Sequence, residues 1–233
     1  MDLIIRLIKS VVGVLMIPLA FSVARCFYIE FSHLKEIGAS FMVMERGVLA
    51  YALMHTLLFR PVYLYVVGHE LVHVIATWIC GGKIASFNIA KSGGSVVTSK
   101  TNIFIELSPY FVPIYTILLG PIFIFLGSVF HSKADLNMTF LFFVGFTLAF
   151  HFVMTTEVLK MEQSDVAKSG VIFSLMLIFI LNMVLMIGYF SLIFNELSFV
   201  NFAKATYRST LHSYQALFTQ LSGFSDFVTS KIR

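Results

Sequence analysis

Val62-Tyr63-Leu64-Tyr65-Val66-Val67-Gly68-His69-Glu70-Leu71-Val72-His73-Val74-Ile75-Ala76-Thr77-Trp78-Ile79-Cys80 is a run of 19 residues in which only His69, Glu70 and His73 ionise near neutral pH. As a helix it is about 28 Å long at 1.5 Å per residue, enough to cross the hydrocarbon of a bilayer. Gly81-Gly82 follows, a helix-ending pair. An ionisable group at mid-membrane costs about 2.5–3.5 kcal/mol on insertion scales, so three within one turn and a half require a compensating partner. His69 and His73 are four residues apart, which puts both imidazoles on one face of the helix.

The rest of the chain shares this apolar character. Of 233 residues, 58% are hydrophobic and 12% charged, and the mean hydropathy is +0.91. A soluble domain is roughly a quarter charged, so that class is excluded, and a chain with this much apolar surface does not stay disordered in water. With 14 Gly and 2 Cys it is neither collagen-like nor a disulfide scaffold. The net charge of +4 is not gathered into a basic cluster, which argues against a nucleic-acid partner. Cys26 and Cys80 read as buried or lipid-facing thiols.

Working outward from 62–80, further apolar runs long enough to span are Leu7 to Ala24, Leu107 to Phe130, Leu136 to Leu159 and Gly170 to Phe194. Arg6 and Lys9 precede the first, as in a signal peptide, but no small-residue cleavage site follows, so it reads as an uncleaved span. Phe41 to Phe59 carries Glu45 and Arg46 near its start and reads as a helix in the interface rather than a short span. Pro109, Pro113 and Pro121 punctuate the 107–130 run. Such prolines kink a helix and free backbone carbonyls, tolerable in a membrane only where protein or water covers them.

Between Lys83 and Thr101, Phe87, Ile89 and Val96-Val97 flank Lys91-Ser92-Gly93-Gly94-Ser95, the pattern of a β-hairpin. The tail from 195 mixes Phe199, Phe202, Leu211, Tyr214 and Leu217 with polar residues, as an amphipathic helix on the membrane surface or against the bundle does. The expectation is an all-α polytopic membrane protein. It has about five transmembrane helices, a short hairpin between the second and third, and an amphipathic C-terminal helix. One membrane-embedded domain covers 1–233: an N-terminal span and interfacial segment over 1–60, a core over 61–194 and the tail over 195–233. Lys and Arg are shared too evenly between the two faces to orient it.

His69-Glu70-Leu71-Val72-His73 is an H-E-x-x-H pattern, the spacing at which two histidines bind one metal ion. Glu70 points about 100° round the helix, close enough to act on water at the metal without ligating it. That division of labour suits hydrolysis: zinc with three protein ligands acidifies water, and the glutamate carries the proton to the leaving amine. His151 lies as deep along the fourth run as His73 does along the second, and its imidazole, like the carboxylate of Glu157, suits zinc. Asn102 and Glu106 read as caps of the proline-rich helix rather than substrate contacts. Thr155 and Thr156 read as bonded back to their own helix.

Gly68-His69-Glu70-Leu71-Val72-His73 in an apolar helix, Gly81-Gly82, the hairpin with Gly93-Gly94, and Leu107-Ser108-Pro109-Tyr110-Phe111-Val112-Pro113 together resemble the site-2 protease family of intramembrane zinc metalloproteases. The resemblance covers about residues 61 to 185. It implies Zn²⁺ held by His69 and His73, Glu70 as catalytic base and acid, and a transmembrane protein or peptide as substrate. It also implies a hairpin that holds substrate as an extended strand, and a multi-pass protein of the lipid bilayer, here the bacterial inner membrane. The family's third ligand is an Asp in a Leu-Asp-Gly motif, which this sequence lacks. Asp165, in Gln163-Ser164-Asp165, is the best match, with His151 and Glu157 as rivals. Two other classes fit the same motif: a catalytically silent metal-binding scaffold, and a small proton or metal transporter.

Overall fold

A computed structural model describes residues 2–34, 38–90, 93–129, 133–161 and 163–232. Among them the regular structure is helical apart from one two-stranded sheet. The helices are α1 (Asp2–Leu15), α2 (Ile17–Leu34), α3 (Ala39–Leu53), α4 (Val62–Ile79), α5 (Ile103–Phe111), α6 (Ile114–Val129), α7 (Lys133–Leu159), α8 (Ser164–Ser169), α9 (Val171–Ile193) and α10 (Phe199–Ile232). Strands β1 (Ile84–Ala90) and β2 (Gly93–Thr98) lie between α4 and α5. Five helical stretches are long and apolar enough to cross a membrane: Leu7–Ser32, Ala39–Leu58, Val62–Ile79, Leu136–Leu159 and Val171–Ile193. The chain is in this sense a multi-pass membrane protein. It divides into two compact units, Met1–Leu34 with Ile172–Arg233, and Lys35–Val171.

In the first unit α2, α9 and α10 enclose Ala20, Val23, Cys26, Ile180, Ile187 and Phe202. The amphipathic tail lies along α2. Ser209 Oγ donates to the buried Ser22 Oγ at 3.2 Å, and the Tyr214 hydroxyl donates to the Leu15 carbonyl. Tyr207, Leu211 and Phe218 remain exposed on its outer side.

The second unit holds α3 to α8 and the sheet. Its 39–58 segment differs from the interfacial reading. α3 continues through a π-helical turn, Met54–Leu58, giving a stretch as long and apolar as a span. Reciprocal glycines bring α3 against α7. A Cβ on Gly47 would collide with the Phe142 carbonyl oxygen, and one on Gly145 with the Met44 carbonyl oxygen. Close backbone approach through small residues is how helices associate in lipid, where apolar burial supplies little drive.

The 107–130 run is likewise not one helix. α5 and α6 are bent by 68° at Val112-Pro113. Val112 is extended at φ −94° and ψ 105°, as a residue preceding proline tends to be, and Pro113 has no N–H to continue α5. Asn102 caps α5 as expected, its Oδ1 accepting from Ile105 N at 2.8 Å. Thr156 bonds back to Phe152 as expected, but Thr155 instead meets the Tyr65 hydroxyl of α4 at 3.2 Å.

β1 and β2 pair antiparallel, with Phe87 opposite Val96 and Ile89 opposite Gly94. Lys91 and Ser92, part of the expected turn, lie outside the described residues. Lys83 and Ser99 close the base of the pair by two hydrogen bonds, and Lys100 Nζ donates to the Cys80 carbonyl at 3.2 Å. The sheet thus folds back along α4, which brings β2 level with Glu70.

Candidate metal centre

α4 presents His69 and His73 from one face, their ring centroids 4.9 Å apart. α8 brings Asp165 to the same point. One ligand atom from each of His69, His73 and Asp165 lies within 4.8 Å of the other two. His73 Nε2 stands 3.6 Å from Asp165 Oδ2. That is long for a direct hydrogen bond. It matches the separation of about 3.3–3.6 Å between two ligands each 2.0–2.2 Å from one tetrahedral ion.

The surrounding bonds suit ligation. His73 Nδ1 donates to the Ile105 carbonyl at 2.8 Å, so the neutral ring keeps its Nε2 lone pair for a metal. His69 Nδ1 is enclosed without a hydrogen-bond partner. Tyr110, fully buried, packs edge-on against the His69 ring at 5.0 Å, and its hydroxyl reaches Gln163 Oε1 at 3.5 Å. Burial pushes the Asp165 carboxyl up. The His73 contact and the charges of His73, Lys168 and His69 outweigh it and hold the group below its ordinary range. Two imidazoles and one carboxylate are borderline-to-hard donors, fit for zinc and for other divalent first-row metals.

Glu70 is buried beside this trio, and its neighbour is the hairpin. A Cβ built on Gly94 would strike the Glu70 side chain, with Oε1 at 2.6 Å and Cδ at 2.7 Å. Glu70, His69, His73, Asp165 and β2 all line one open cavity of about 770 Å³. Glu106, read from sequence as a cap, lines it too and accepts from Ser169 at 2.7 Å and Thr101 at 3.0 Å, tying α5 to α8.

The rival ligands stand elsewhere. Glu157 Oε1 meets both His55 Nε2 and Arg60 Nη1 at 3.2 Å, and His55 Nδ1 meets the Tyr51 hydroxyl at 3.0 Å. His151 is buried beside Tyr65 and His69 in a small enclosure, outside the ligand trio. The Gly94 contact, the Tyr110 packing and the Ile105 carbonyl went unread in the sequence. Gly93-Gly94 was its one visible sign of the first.

No protein-family model, curated protein or solved structure matches this chain.

Proposed function

We propose that this chain is a membrane-embedded, metal-dependent endopeptidase of the site-2 protease type, cleaving a peptide bond in or beside a transmembrane segment. The observation that carries this reading is the convergence of His69, His73 and Asp165 with Glu70 on one cavity bordered by a strand. His69, His73 and Asp165 would hold a divalent ion, with zinc the expected occupant. Such an ion acts as a Lewis acid toward a peptide carbonyl and lowers the pKa of water.

The chain's own groups do the rest. Glu70 takes a proton from the attacking water as its oxygen bonds to the carbonyl carbon. It returns that proton to the amide nitrogen as the C–N bond breaks. His73 stays oriented by the Ile105 carbonyl. Among the described residues β2 pairs with β1 alone, which leaves its other edge without a strand partner, and its residues line the cavity. A substrate helix unwound into an extended strand fits such an edge by strand addition. The bacterial inner membrane as location, and the family itself, rest on the motif resemblance.

The test is reconstitution. The metal-stripped protein in detergent should cleave no transmembrane-segment reporter and should recover cleavage on adding one equivalent of zinc. Cleavage that survives complete metal removal would refute the reading.

A further inference from the structure

Pro109 lies inside α5, four residues after Ile105. In an α-helix the N–H of residue 109 would bond the carbonyl of residue 105. Proline has no N–H, and its ring crowds that carbonyl outward. The Ile105 oxygen has therefore lost its helical partner, and in a membrane such a group must be satisfied by other protein atoms. His73 Nδ1 satisfies it at 2.8 Å, with Ser108 Oγ at 3.4 Å.

The consequence is chemical. A carbonyl oxygen only accepts, so His73 carries its proton on Nδ1 and presents the Nε2 lone pair. Nε2 is the atom 3.6 Å from Asp165 Oδ2. Nor is Pro109 there to bend the chain: α5 runs through it to Phe111, and the 68° bend falls later, at Val112-Pro113. A proline that leaves its helix unbroken, at a position helices otherwise disfavour, has a local use here.

We propose that Pro109 is a positioning residue of the metal site: by withholding its N–H from Ile105, it creates the acceptor that fixes His73 in the tautomer that ligates through Nε2. This rests on the metal-site reading above.

The experiment compares wild type with Pro109→Ala and, as a control, Pro121→Ala, a proline inside α6 that lines neither the trio nor its cavity. Alanine is the best helix former, so Pro109→Ala retains α5. First, the metal-free full chain with ¹⁵N-labelled histidine is read by long-range ¹H–¹⁵N correlation at alkaline pH, where the ring beside Asp165 is neutral and its tautomer defined, with His73 assigned by the signals lost in His73→Gln. The expected wild-type pattern is Nδ1–H with Nε2 bare. Pro109→Ala should shift His73 toward a mixture of tautomers, and Pro121→Ala should leave it unchanged.

Second, zinc competition against a chelator should show affinity weakened about tenfold or more in Pro109→Ala alone, the usual scale for a lost outer-shell partner. A wild-type His73 protonated on Nε2 would overturn the proposal. So would a Pro109→Ala protein with the wild-type tautomer and zinc affinity within about twofold. If no variant, wild type included, binds zinc, the metal reading fails, and the metal-free spectra still decide the role of Pro109.

Discussion

His73 Nε2 and Asp165 Oδ2 stand 3.6 Å apart, although 92 positions separate them in the chain. The short helix α8 makes this possible. Gly170, at φ +89°, ends α8 before the long apolar α9 begins, so Asp165 is carried to α4 on its own turn of helix. Removing that carboxylate should separate the ligand reading from its rivals. Asp165→Ala is expected to weaken zinc binding on the order of 100-fold, as loss of one of three protein ligands does. Glu157→Gln should leave zinc affinity within about threefold, since its partners are His55 and Arg60. Metal content by mass spectrometry after dialysis against a chelator series is the measurement.

Gly94 is expected to control turnover without controlling metal. A methyl group there must push the Glu70 carboxylate aside or lift the hairpin. Misplacement of a reacting group by about 1 Å costs up to 100-fold in rate, so Gly94→Ala should lower kcat by about 10–100-fold. Metal stoichiometry should stay at the wild-type level. Steady-state cleavage of a fluorogenic transmembrane reporter, run beside metal analysis, checks both halves.

The α3–α7 contact is expected to be intolerant of any side chain at its glycines. Gly47→Ala forces the new Cβ against the Phe142 carbonyl oxygen. Overpacking of this kind costs about 1–3 kcal/mol. Unfolding in mixed micelles with increasing denaturing detergent should show the loss. Gly127→Ala in α6, where a Cβ would meet nothing within 4 Å, should be neutral or slightly stabilising.

Acid should loosen the metal-free site through Asp165. Its native pKa lies below the ordinary 3.8, so the stability it contributes is complete above that value and is lost as the pH falls through the lower native one. Asp165→Asn should flatten this acid limb. Thermal unfolding of metal-free protein between neutral pH and the acid limit follows it directly.

The two-histidine face, the Glu beside it and the apolar runs were legible in the sequence because helical period and span length are local properties. The proline-rich run was half legible. Pro109 and Pro113 announced freed carbonyls, but not that His73 would take one of them while Val112-Pro113 would break the helix outright. In the 39–58 segment Glu45 and Arg46 suggested an interface, whereas the helix there has the length and apolarity of a span. The signal that it packs along α7 is two glycines, Gly47 and Gly145, 98 positions apart. Three possible third ligands could not be ranked by spacing alone, because the choice depends on α8. Six residues, Ser164-Asp165-Val166-Ala167-Lys168-Ser169, carry no hydrophobic period of their own.

Under the proposed function, Glu70 acts on water at a site whose metal is held by other residues. Purified wild type and Glu70→Gln, each loaded with zinc and placed in liposomes with a transmembrane-segment reporter, test it most directly. The expected result is equal zinc, one ion per chain, in both proteins, with cleavage by Glu70→Gln reduced at least about 100-fold, the lower end of what a general base contributes. Equal cleavage by the two proteins, or a wild type that holds no zinc, would contradict it.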